Sequence, residues 1–147
     1  MARGSILEQN SGNGGYLLPV EKVTAAKTLD AVKDSGKILT LDATGGAYQI
    51  TLPTTLEVGT QYKLIVDEDT PTGAITIAAG STILFGKINE TEVDTGSDGD
   101  GSSGATGVSN MIIGTSANKG DFVDIVCDGK QWYFFGSTAV DGAFTFS

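Results

Sequence analysis

The chain has 147 residues, 39% hydrophobic side chains, 21 glycines and a net charge of −9. That length supports one domain with a real core, and the acidic balance argues against contact with nucleic acid phosphates. Histidine is absent, which excludes Ser-His and Cys-His nucleophiles and the common zinc sites.

Residues 1–40 hold five basic and four acidic side chains, and the remainder four basic and fourteen acidic. The acidity therefore belongs to the body. Met1–Asn10 lacks the apolar run of a secretory leader. No stretch approaches the roughly 20 apolar residues of a membrane-spanning helix, so no membrane partner is expected. The single cysteine, Cys127, falls in a strand pattern and reads as a small buried thiol.

Residues 1–35 read as an extended N-terminal arm. The polar stretch Ser11–Gly15 separates Ile6 and Leu7 from a second apolar cluster at Tyr16, Leu17, Leu18 and Val20. Neither cluster builds a core alone, and such a segment orders against a partner. Residues 21–34 lack a clean helical stripe and read as mostly extended.

From residue 36 to 147 the pattern is β. Expected strands are Lys37–Leu41, Ala47–Leu52, Gln61–Asp67, Ala74–Ala78, Thr82–Ile88, Ser109–Ile113, Phe122–Cys127, Gln131–Phe135 and Gly142–Phe146. Pro53 stops one strand, because it cannot donate to a ladder. Gly86 is a candidate bulge. Asp128-Gly129 reads as a type I′ turn closing a hairpin. Residues 89–107 read as a flexible acidic Gly/Ser loop. The class is all-β: an antiparallel sandwich or barrel, jelly-roll-like, of about nine short strands.

Chemistry-bearing patterns are sparse. Most acids sit at turn positions, where local hydrogen bonding accounts for them. Asp94, Asp98 and Asp100 are oxygen donors on a Gly-rich backbone, but Ala105 stands where an EF-hand needs its bidentate glutamate. No metal, cofactor or catalytic residue is assigned. Of the run Trp132–Phe135, alternation puts one pair in the core and leaves the other for a neighbouring subunit or loop to cover.

An ordered series of weak motifs covers about residues 28–137. It comprises DSGK at Asp34–Lys37, Gly45-Gly46 leading into ITLP at Ile50–Pro53, and G-x-x-YKLIV at Gly59–Val66. It continues with ITI at Ile75–Ile77 and GD-x-V-x-I-V-x-DG-x-x-WY-x-x-G across Gly120–Gly136. The series resembles the head decoration, cement or capsid-accessory proteins of tailed phages. The resemblance implies a non-enzymatic virion protein, made in the host cytoplasm, that binds the capsid outer surface as a homotrimer with the major capsid protein as its partner. Ile6, Leu7, Tyr16, Leu17, Leu18 and Val20 are the expected capsid contacts, by position and composition. A tail-fibre or head-fibre domain binding host surface glycan is the alternative, because such modules share similar strand motifs.

Overall fold

A computed structural model describes residues 18–91 and 102–147. All regular structure among the described residues is β. The strands are β1 (Val20–Val23), β2 (Lys27–Thr28), β3 (Ile38–Leu41), β4 (Tyr48–Thr51), β5 (Gln61–Val66) and β6 (Ile75–Ala78). They continue with β7 (Leu84–Glu90), β8 (Ser102–Val108), β9 (Asn110–Ile113), β10 (Phe122–Cys127), β11 (Trp132–Thr138) and β12 (Phe144–Phe146). A seven-stranded sheet runs β1-β3-β5-β10-β11-β7-β8, and a five-stranded sheet runs β12-β9-β6-β4-β2.

Each of the nine strands expected from alternation has a counterpart. Three more, β1, β2 and β8, lie where the sequence pattern was weak. Of sandwich and barrel, the sandwich is what forms: each sheet has two open edges. The sheets are mixed rather than purely antiparallel. From β1 to β6 the chain alternates between them, and β1/β3, β3/β5, β2/β4 and β4/β6 are all parallel pairs. A parallel pair needs a crossover connection. Here each crossover carries a strand of the facing sheet instead of a helix. After β7 the chain turns back, and β9, β10 and β12 add antiparallel ladders, while β11 also pairs β7 in parallel.

The stretch 1–35, read as an arm, contributes two strands from residue 20 onward, and Val23 and Leu29 belong to the core. The stretch 89–107, read as a loop, begins inside β7 and ends inside β8. Both differences share a cause. These short segments are held by ladder bonds to distant strands, and such bonds leave no local pattern.

The core is the space between the sheets. Leu39, Leu41, Leu64, Ile125, Trp132, Phe134 and Leu84 from one sheet meet Ile50, Ile75, Ile77, Met111, Ile113 and Phe144 from the other, all at most 1% exposed. Trp132 and Phe134 are the inward pair of the aromatic run. The Trp132 ring lies 6.0 Å from Tyr62, and Phe134 stacks 5.3 Å from Phe146. The Cys127 thiol is buried, and its sulfur accepts the Gly129 N–H at 3.3 Å.

The hairpin forms with a different turn from the one expected. Asp128 N donates to Gln131 O, and only Gly129 has a positive φ, 92°. The turn therefore centres on Gly129-Lys130 and is not type I′ on Asp128-Gly129. Asp128 instead accepts the N–H groups of Lys130 and Gln131 at 2.8 and 2.9 Å.

The bulge lies between Leu84 and Phe85 in the β7/β8 ladder, where Gly107 of β8 is skipped. Gly86 has another task. It pairs with Phe134, and a Cβ there would lie 1.9 Å from the Phe134 carbonyl oxygen. Its hydrogen lets β7 and the Phe134 ring approach. Gly86→Ala is expected to lower folding stability by about 3 kcal/mol. Urea unfolding followed by the emission of Trp132 measures it, and a midpoint unchanged from the parent refutes the close-approach role.

Candidate functional site

The two sheets present very different faces to the outside. On the five-stranded sheet, Thr145, Ile112, Thr76 and Gln49 stand in one outward row. Asn110, Ala78, Thr51 and Thr28 stand in the next. This surface is a threonine-rich polar lid over the core.

The seven-stranded sheet is the opposite. Its central outward row reads Val20, Ile38, Lys63, Asp124, Phe135 and Lys87. One flanking row carries Val126, Tyr133 and Phe85, and the other carries Ile65 and Phe122. Strand alternation produces these rows, since successive side chains point to opposite faces and the ladder register aligns them. Phe135 is 63% exposed and Val126 39%. Tyr133 packs against Phe85 with ring centroids 6.3 Å apart. Lys63 pairs with Asp124 at 3.1 Å and lies 4.4 Å above the Phe122 ring, which neutralises the centre of the face. Leu18, Ile38, Val126 and Phe135 line an apolar groove of about 390 Å³ on this sheet.

The expected capsid contacts divide into two groups. Ile6, Leu7, Tyr16 and Leu17 lie outside the described residues. Leu18 and Val20 are described, and both are exposed, at 49% and 63%. They stand at the β1 edge of the seven-stranded sheet, beside the groove. Asp94, Asp98 and Asp100 also lie outside the described residues.

The acids that can be followed are engaged locally. Asp42 accepts the Thr44 N–H at 2.9 Å, Asp30 accepts Val32 and Lys33 N–H at 2.8 Å, and Glu68 accepts Ala43 N–H at 2.9 Å. Asp121 is buried and accepts Asn118 N–H, Thr138 Oγ1–H and Ala139 N–H, which ties the turn before β10 to the end of β11. Burial pushes the Tyr48 phenol up to about 12, and its hydroxyl donates to Val23 O at 2.9 Å. Tyr62 is likewise raised by burial and donates to Asp30 O. These groups hold turns in place. They do not converge on a cleft, and so offer no acid/base pair.

One constellation was missed by sequence reasoning. Lys27 of β2 contacts Glu21 of β1 at 2.5 Å and Asp34 at 3.6 Å, and Lys37 contacts Glu21 at 2.8 Å and Asp34 at 2.6 Å. Two ammonium groups thus alternate with two carboxylates where the β1 edge of one sheet meets the β2 edge of the other. The cluster seals that end of the core and clips β1 to the body. No spacing signal announces it, because the four come from β1, from β2 of the other sheet and from the turn before β3. A second chain of charges links Lys22 to Asp42 at 2.8 Å and to Asp67 at 3.2 Å, with Lys119 on Asp67 at 3.3 Å. The Lys22 ammonium, helped by Thr44, holds Asp42 well below the usual carboxylate range.

No protein-family model matches the chain, and a search of curated proteins finds no match.

The four-charge clip carries a pH dependence. Lys27 first, then Lys37, hold the Glu21 carboxyl below its ordinary 4.5. Burial raises Asp34, but Lys37 and the Asp30 N–H outweigh it, so it also lies below its ordinary 3.8. A carboxylate depressed in the folded state binds fewer protons there than in the unfolded chain, so its stabilisation is full above the ordinary value and fades as pH falls through the depressed one. Stability is therefore expected to decline as acid is added below pH 4.5. Asp34→Asn should cost about 1–2 kcal/mol at neutral pH and flatten that decline. Thermal melts from neutral pH into acid measure both, and an identical pH profile for the variant would count against the clip.

Proposed function

We propose that the protein is a virion structural subunit that binds the outside of an assembled phage head and stabilises junctions between capsid subunits. One observation carries this reading. The described chain opens with exposed Leu18 and Val20 on an open edge strand, directly after the apolar pair Tyr16-Leu17. An open edge accepts a strand from a partner, and apolar side chains beside it supply anchoring. The motif series from Asp34 to Gly136 supports the same reading.

The mechanism is thermodynamic. A subunit that binds only the assembled shell stabilises that shell by mass action. Copies held together multiply several modest contacts through effective concentration. No bond is made or broken.

The alternative, a fibre domain that grips host glycan, would use the outward aromatics Phe85, Tyr133 and Phe135. Copy number in the particle separates the two readings, because a decoration subunit approaches the abundance of the major capsid protein.

Residues 1–19 precede every described strand, and a variant that lacks them and carries Val20→Ser has lost all of the proposed contacts. The truncated protein is expected to melt within a few degrees of the parent and to lose co-sedimentation with assembled heads. Unaltered head binding by the truncation would refute the arm as the shell contact.

A further inference from the structure

We infer that the outer face of the seven-stranded sheet is where two copies of this chain meet. The inference rests on the self-association invoked above and not on the shell.

The first observation is the contrast between the faces. The five-stranded sheet shows solvent a mostly threonine, glutamine and asparagine surface in which Ile112 is the one large apolar side chain among the described residues. The seven-stranded sheet shows Ile38, Ile65, Phe122, Val126, Tyr133 and Phe135. Most of the exposed large hydrophobics among the described residues also gather on this side. Leu18, Val20, Val126 and Phe135 belong to the sheet face or its edge. Val58, 80% exposed, projects from the loop at one end of it beside Gly129, and that loop is fixed there by the bond Gly59 N to Cys127 O. Val32 is the exception and lies against Thr51, Leu52 and Pro53. Scattered exposed hydrophobics need no explanation, but a contiguous set marks an interaction surface.

Charge selects the occupant. A chain with a net charge of −9 repels its own copies, so copies can approach only through a surface free of that excess. This face is such a surface. Its outward lysines are Lys22, Lys63 and Lys87, and Asp124 stands among them. Asp42 and Asp67 close its far end on Lys22. With Lys119 on Asp67, four positive groups stand against three negative, so the face carries none of the chain's acidic excess. Lys63 and Asp124 are already paired, so burying them adds no uncompensated charge.

Size agrees as well. Seven strands spaced about 4.8 Å apart and about six residues long span roughly 30 by 20 Å. That is on the order of 600 Å² before side-chain relief, close to the roughly 800 Å² per partner of a standard interface. Phe135, central and protruding, is the anchor; Val126 and Tyr133 flank it.

The test is sedimentation equilibrium of the full chain at micromolar to submillimolar concentration in physiological salt. The parent is expected to show a mass of two or three times 15.1 kDa. Phe135→Asp should weaken association at least 100-fold. Gln49→Asp, the same charge on the polar face, should leave it within a factor of two. Circular dichroism melts report folding, and if Phe135→Asp does not fold, Val126→Lys decides in its place. A parent that stays monomeric throughout overturns the inference, and so does a folded face variant that keeps the parent's mass. A monomeric parent whose head binding is lost on Phe135→Asp would assign the face to the shell, which also overturns it. Head binding by the truncated variant is measured separately, so failure of one reading leaves the other standing.

Discussion

The winding of the chain between two sheets is the constraint on which the rest depends. From β1 to β6 each strand is followed by one in the opposite sheet, so every second side chain along each strand must be apolar to fill the space between them. A fully buried large side chain contributes about 1.5–3 kcal/mol, whereas an exposed ion pair contributes about 0–1 kcal/mol. The inward rows therefore decide the fold, and the surface charges decide only its margins. Gly86 shows how tight the fit is: a single methyl at that point would strike the backbone of the neighbouring strand.

The parallel winding leaves a cost at its open edge. β1 and β2 are short, and neither has a neighbour beyond it among the described residues. The alternation of Glu21, Lys27, Asp34 and Lys37 offsets this by bridging the two sheet edges across the end of the core. Lys22 with Asp42 and Asp67 secures the other end of β1 in the same way. Both sets use charges on segments that only the tertiary structure brings together, Lys27 reaching across from β2 of the other sheet. The edge is thus clipped although no described strand pairs with its outer backbone.

The difference between the outer faces gives the molecule a direction. One side is hydroxyl-rich and suited to water. The other is aliphatic and aromatic, carries none of the chain's acidic excess, and is bounded on one side by β1. On that side the apolar groups are spread over the surface of a sheet.

Alternation in the sequence was enough to set the all-β class, nine of the twelve described strands, the inward position of either Trp132 and Phe134 or their neighbours, and the burial of Cys127. Period-two patterning is local, so residues such as Tyr62, Leu64 and Val66 announce their strand unaided. Leu18 and Val20 stand out in the sequence as part of an apolar cluster behind a Gly-rich stretch, and the structure leaves both exposed. Only the tertiary structure decided that the sheets are mixed, that residues 20–28 belong to them, and that Ser102–Val108 is a strand. It also chose which aromatic pair faces out and assembled Glu21, Lys27, Asp34 and Lys37. Each of these depends on register between strands far apart in the chain. Register is fixed by the packing of whole faces rather than by any neighbouring residue.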